Sequence, residues 1–265
     1  MLLSKATTTT GWRDILTDSD RFAEAVDKAL RRERGLHGSV GTQNEKVIHA
    51  ALKNYYAPFS DEQEIKIGGY FADAVCEDGI FEIQTRQLYK LKEKLGAFLE
   101  FSRVTVVYPS ACVLSTVYIN EDNGEIVKET SPRKINSLLK VFEELYSIRG
   151  FLNSENLRII IARLNVRKNV YFRGNDFPNL SSRSVRKRCC IEKIPLEFCD
   201  EMILENKTDY KRFLPEGLSE EFSKKDLSQA SGESSSSLRL EVLRTVGVIE
   251  KTGKNGNSYL YKRSL

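Results

Sequence analysis

The sequence predicts an α/β protein: a mixed sheet flanked by helices, followed by a smaller unit of two helices and a hairpin. Three observations carry this. Segments of strand character and segments of helical spacing alternate through most of the chain. The pair Asp78-Gly79 joins two apolar runs, as a tight hairpin loop does. After "FLPEG" (213–217) a second pattern begins, helix, helix and hairpin, which places a domain boundary near residue 200. The expected domains are therefore 1–200 and 201–265.

Each element has its own signal. Residues 18–34 show helical spacing through Phe22, Val26 and Leu30, with Asp residues at the start. A break from Gly35 to Gly41 precedes a second helix in "TQNEKVIHAALKNYYA", whose apolar stripe is Val47, Ile48, Ala51, Leu52 and Tyr55 and which Pro58 ends. Two strands come next, around Asp78-Gly79. "QLYKLKEKLGAFLEFS" reads as an amphipathic helix and "RVTVVYP" as a buried strand. "VLSTVYI", "NEDNGE" and "IVKET" read as a hairpin, "SPRKINSLLKVFEELYSI" as a helix opened by Ser131-Pro132, and "LRIIIARLNV" as another strand. From Phe172 to Lys193 the pattern dissolves into Asn, Ser, Arg and Pro. "SEEFSKKDLSQAS", "SSSSLRLEVLRTVGV" and "IEKTGKNGNSYLYKRS" then spell the two helices and the closing hairpin.

Composition narrows the function classes. With 40% apolar and 29% charged residues in 265, the chain is an ordinary globular protein, long enough for one medium and one small domain. Five cysteines without a C-x-x-C pair argue against a zinc site or a disulfide framework and fit a reducing cytoplasm. "MLLSKATTTTGW" is too short an apolar run for a signal peptide, and no stretch has the length of a membrane span, so no membrane partner is expected. Only His37 and His49 are present, which weakens any mechanism built on a histidine base or a His-rich metal cage. Glycine-rich phosphate loops are missing as well.

The hairpin around Asp78-Gly79 carries the chemistry. If that pair is the loop, Val75 pairs with Glu82 and Asp73 with Gln84. Alternation then puts Asp73, Glu82 and Gln84 on one face, and Ala72, Ala74, Cys76, Phe81 and Ile83 on the other. Asp73 and Glu82 become diagonal neighbours roughly 7 Å apart at their backbones, close enough to converge on one point. Two bare carboxylates there would repel each other and lose hydration; a hard divalent cation removes both costs. Such an ion lowers the pKa of a bound water and stabilises charge on a phosphodiester under attack.

Asp73 followed after a turn by Glu82-Ile83-Gln84 resembles the PD-(D/E)xK nuclease superfamily, with its restriction-endonuclease-like fold. The resemblance implies that Asp73, Glu82 and the carbonyl of Ile83 bind Mg²⁺ or Mn²⁺, and that Glu45, in the first turn of the preceding helix, supports the metal's hydration shell. It also implies a third position, usually lysine, that positions the attacking water; here Gln84 stands there, able to orient a water but without charge. Lys90 and Lys92 on the following helix are candidates for the missing cation. His49, one turn beyond Glu45, reads as a packed or hydrogen-bonded residue. "NEKVIHAALKNYY", "FEIQTRQLYKLKEKL", "VVYP", "LPEGLSEEFSKKDL" and "VIEKTGKNGNSYLY" are similar to the blocks of an uncharacterised bacterial family that joins this domain to a C-terminal winged helix. Enzymes of restriction type often dimerise to cut both strands, so a homodimer is a further expectation.

Basic residues point to a polyanion. Between Arg163 and Lys193 nine Lys and Arg face two acids, an excess of seven on a chain whose net charge is only +4. Arg183, Arg186, Lys187 and Arg188 are the expected phosphate contacts in that stretch. In the winged helix, Arg239 and Arg244 lie on the expected recognition helix, and Lys251 and Lys254 on the wing. The expected function is metal-dependent hydrolysis of nucleic acid, with double-stranded DNA as partner. A DNA-binding regulator on an inactive nuclease fold is the alternative that Gln84 motivates, and a winged helix that contacts a partner protein is the third reading.

Overall fold

A computed structural model describes residues 18–36, 46–135, 138–174, 177–179, 182–183, 189–232 and 237–264. Glu45, Arg186, Lys187 and Arg188 lie outside the described residues. Two helices come first, α1 (Asp18–Leu36) and α2 (Lys46–Tyr56). Both apolar stripes bury as their spacing demands: Phe22, Ala25, Val26 and Ala29 on α1 meet Ile48, Ala51, Leu52 and Tyr55 on α2.

A seven-stranded mixed sheet forms the centre. Its strands are β1 (Gln63–Ile67), β2 (Tyr70–Cys76), β3 (Gly79–Ile83), β4 (Val104–Asn120), β5 (Ile126–Lys134), β6 (Leu157–Phe172) and β7 (Cys190–Leu204). The order is β1-β2-β3-β4-β6-β7, with β5 pairing β4. β3, β4 and β6 run parallel, and the remaining pairs are antiparallel. The sheet separates two cores. Phe81, Ile83, Val107, Ile160 and Ala162 pack against α1 and α2. Ile80, Val106, Ile159 and Ile161 pack against α3 (Lys92–Phe98) and α4 (Leu138–Ser147).

β4 is one continuous strand where two were expected; Pro109 does not end it, although the pairing with β6 shifts between Ala111 and Val113. β3 covers β4 only at Val104–Val107, and β5 takes up the same edge from Val113 to Ile119. Ser131-Pro132 does not open a helix but lies in β5, and the helix starts later, at Leu138. A proline is tolerated there because β5 pairs on one side only. Ala72, expected with Ala74 and Phe81, joins the opposite core beside α3.

β7 runs to Leu204 and pairs with β6 along its length, so a boundary at residue 200 would cut a strand of the sheet. Beyond β7 come α5 (Lys207–Tyr210), β8 (Glu221–Ser223), α6 (Lys224–Ser231), α7 (Ser237–Thr245), β9 (Ile249–Asn255) and β10 (Ser258–Arg263). The last three strands make a small sheet in the order β8-β10-β9. α6 starts with a capping box between Ser223 and Asp226 and stops at Gly232, whose φ of +64° a side-chain residue rarely adopts.

This C-terminal unit does not hang from a linker. Leu240, Val242, Leu243, Val248 and Phe222 belong to the same apolar core as Phe142, Leu145 and Ile159 of the large sheet's layer. Phe142 and Phe213 stack edge to face at 4.9 Å, and Asn153 Nδ2 donates to the Thr245 carbonyl at 2.9 Å. Arg239, expected on an exposed recognition helix, is 7% exposed: it donates to the Phe213 carbonyl and lies 5.7 Å from the Phe142 ring centroid. α7 turns its arginine inward because α4 covers that face.

Candidate active site

The site begins with the register of the β2–β3 hairpin. Ala74 pairs with Phe81, Val75 with Ile80 and Cys76 with Gly79, so the two-residue loop is Glu77-Asp78 rather than Asp78-Gly79. The reason is tertiary. Gly79 has φ +113°, and a Cβ there would stand 2.4 Å from the Arg103 carbonyl oxygen, so the glycine serves the close approach of β3 to the start of β4. Continued by the same register, Asp73 stands opposite Glu82 instead of diagonal to it. Displacing the pairing by two residues preserves parity, so Asp73 and Glu82 still share a face.

At Asp73 the ladder changes partner. The Ile83 amide donates to Asp73 Oδ2 at 2.8 Å, and the Asp73 amide lies near enough to the Glu82 carboxylate to help hold its charge. The two acids are thus interlocked at the end of β3. An extended residue points its N–H and C=O toward the same edge, so the Ile83 carbonyl faces this edge too.

Two further side chains complete the cluster. His49, one turn into α2, places Nε2 3.3 Å from Asp73 Oδ2. Lys94 on α3 places Nζ 3.0 Å and 2.9 Å from the two Glu82 oxygens and 2.5 Å from the Phe71 carbonyl. Lys90 and Lys92, the expected cations, are exposed and make no such approach. Lys94 follows Leu91 by three residues and precedes Phe98 by four, and Leu91, at the end of the preceding 3-10 turn, Leu95 and Phe98 form a buried stripe there. Its place on the stripe's flank was the available signal. Glu144 of α4 fixes the start of the 3-10 turn Leu88–Leu91 that leads into α3, accepting from the amides of Gln87 (2.8 Å) and Leu88 (2.7 Å), where Gln87 adopts φ +59°.

Gln84 does not join the acids. Its Nε2 donates to the Arg86 carbonyl at 2.5 Å and its amide to the Val107 carbonyl at 3.0 Å. The nucleic-acid candidates are scattered: Arg183 is exposed, Arg244 is exposed and paired with Glu241 at 2.8 Å, and Lys251 and Lys254 stand on the β9–β10 hairpin over the Tyr259 ring at 3.2 and 4.7 Å.

Environment sets the two carboxyls apart. Glu82 is 1% exposed; burial, and next the Asp73 charge, push its pKa up to about 7 against the pull of Lys94 and the Asp73 amide. Burial acts on Asp73 in the same direction, but the His49 hydrogen bond and charge, the Ile83 amide and Lys94 outweigh it and hold Asp73 below the usual carboxylate range. The two acids therefore give stability opposite dependences on pH. A folded Glu82 binds its proton more tightly than the unfolded side chain, whose pKa is near 4.5, so stability falls as pH rises from there through about 7. Asp73 acts oppositely, its stabilisation fading below about pH 4. Glu82→Gln is therefore expected to flatten the decline between pH 5 and 7.5 in urea midpoints; an unaltered slope would contradict the placement of Glu82.

Among the described residues no group of three His, Cys, Asp or Glu side chains gathers as a metal cage. The oxygen set of Asp73, Glu82 and the Ile83 carbonyl nevertheless suits a hard divalent ion, which takes one or two carboxylates and fills its shell with water. Lys94 now provides the positive charge that such an ion would bring to Glu82.

A family model, the domain of unknown function DUF8091, matches residues 46–205, more than half of the chain. The chain belongs to this family. The DUF8091 region runs from α2 through β7 and contains His49, Asp73, Glu82 and Lys94, while the C-terminal unit lies beyond it. An uncharacterised protein of Treponema pallidum (strain Nichols) is 28% identical over 230 residues, covering 85% of this chain and 88% of that protein. No solved structure matches. No helix among the described residues is long and apolar enough to cross a membrane.

Proposed function

We propose that this DUF8091 protein is a metal-dependent phosphodiesterase acting on DNA. The observation that carries the reading is the meeting of Asp73, Glu82 and Lys94 where β3 ends, two carboxylates and one ammonium supplied by three different elements. Asp73, Glu82 and the Ile83 carbonyl would hold Mg²⁺ or Mn²⁺, which supplies a Lewis acid and a water of lowered pKa. Lys94 takes the role that the PD-(D/E)xK pattern gives to its third position: with an ion on Glu82, the donors that Lys94 gives to that carboxylate would turn to the water, and its charge would offset the negative charge that develops on the phosphate. Asp73 stays ionised, and His49 fixes its rotamer. Gln84, turned to Arg86, serves the turn into α3.

The C-terminal unit has the helix, helix and hairpin order of a winged helix, and we read it as the substrate-holding part. With Arg239 buried, its phosphate contacts belong to the hairpin, where Lys251 and Lys254 are exposed beside Tyr259 and no acid lies between Lys251 and Tyr259. A regulator without activity is the second reading. It is favoured by the occupation of both Glu82 oxygens by Lys94.

Calorimetric titration with Mn²⁺ separates the two. The hydrolase reading expects saturable binding that tightens as pH rises through about 7, because the ion competes with the Glu82 proton. Salt-sensitive DNA binding with no heat of metal binding at any pH would establish the regulator instead.

A further inference from the structure

Beyond Val107, where β3 stops, β4 and β6 run on side by side to Asn120 and Phe172, flanked by β5 and β7. The two faces of this four-stranded extension differ in charge. Arg133 is paired with Leu114, Lys128 with Tyr118, and Thr116 with Lys168, which is itself paired with Lys193. Leu114, Thr116 and Tyr118 share a face of β4, so Lys128, Arg133, Lys168 and Lys193 share it too. Phe177, which lies against Tyr118, Phe172 and Lys128, marks the same face. No acidic residue occupies these three rows of paired positions. Glu129 and Glu192 fall together on the reverse face, in the row of Val117 and Asn169, and Glu197 lies on that face with Lys134 and Arg167.

The dimensions fit a duplex. Rows on one face recur every ~7 Å, about two nucleotide rises along one strand. β5 and β7 are three strand spacings apart, ~14 Å, close to the ~12 Å width of a major groove, so cations at the two edges meet two backbones. Thr116 is nine residues beyond Val107, ~25–30 Å of strand, or roughly eight base pairs. We propose that this face of the extension, which continues the side of the sheet that α1 and α2 cover, binds the phosphate backbones of duplex DNA, with the site at the end of β3 reached along the strands. Service to that site rests on the hydrolase reading; the binding itself does not.

The test is fluorescence anisotropy of a labelled duplex with the full chain in EDTA, over a series of salt concentrations. Lys128→Glu/Arg133→Glu/Lys193→Glu is expected to weaken binding at least ~10-fold and to reduce the slope of log K against log salt by about 2–3, near 0.9 per lost contact. The glutamine versions are expected to reduce the slope in the same direction and serve if the charge reversal impairs folding, while Lys134→Glu on the reverse face leaves both quantities unchanged. Unaltered affinity and slope in the triple variants would overturn the proposal, as would an equal loss in Lys134→Glu or tighter binding of the single strand than of the duplex. Failure of cleavage with intact, charge-dependent duplex binding would count against the hydrolase reading alone.

Discussion

Asp73→Asn is expected to lower Mg²⁺-dependent cleavage of DNA by at least ~10³-fold while the protein stays folded. The amide keeps the shape of the side chain and can still face His49 and the Ile83 amide region, but it lacks the charge that a hard cation requires. A metal's Lewis-acid contribution amounts to several kcal/mol, and each 1.36 kcal/mol is tenfold in rate, so loss of the ion alone accounts for ~10³. The measurement is nicking of supercoiled plasmid over time, with the melting temperature recorded beside it. Undiminished nicking in Asp73→Asn would remove the site from consideration.

Lys94→Met separates two roles that one distance cannot. If Lys94 only neutralises Glu82 until a metal arrives, removing it frees both oxygens, tightens Mn²⁺ binding and leaves the rate alone. The expected result combines tighter metal binding with a ~10²–10³-fold slower cleavage step, the scale on which loss of one preorganised donor acts. The same variant is expected to lose stability above pH 7 without metal, because Glu82 is then a buried charge with no partner, and to regain it when Mn²⁺ is added. Cleavage at the parent rate would assign the lysine a purely structural role.

Much of the fold was legible in the chain, and the exceptions have physical causes. The stripes of α1 and α2 and the alternation of β2 and β3 are local signals, and the cores formed as those signals required, except at Ala72, which packs on the opposite side from Ala74. The hairpin loop was misplaced by one residue because Gly79 answers to Arg103, a neighbour 24 positions away, and not to the turn. Parity survived, so the facing of Asp73 and Glu82 was still foreseen. Lys94 was missed because its relevance depends on α3 crossing the hairpin closely enough for an ammonium to reach both Glu82 and the Phe71 carbonyl. Arg239 was misjudged for a similar reason. An arginine on a helix reads as exposed unless one knows that α4 will cover it and that Phe213 will offer a carbonyl.

In the basic stretch from Arg163 to Lys193 the excess of charge is real, but strands divide it. Arg163 is committed to Asp200 and Arg173 to Glu121, while Lys168 and Lys193 are carried to one side of the sheet by alternation alone.

The packing of Phe142 against Phe213 and of Asn153 against Thr245 has a consequence for any reaction performed at Asp73. Among the described residues no hinge intervenes between the Asp73–Glu82 corner and the hairpin bearing Lys251 and Lys254, so the two stand at a set offset, like the jaws of a caliper. A DNA strand gripped at the hairpin would present the same bond to Asp73 on every encounter, and the products would fall into discrete lengths rather than a ladder.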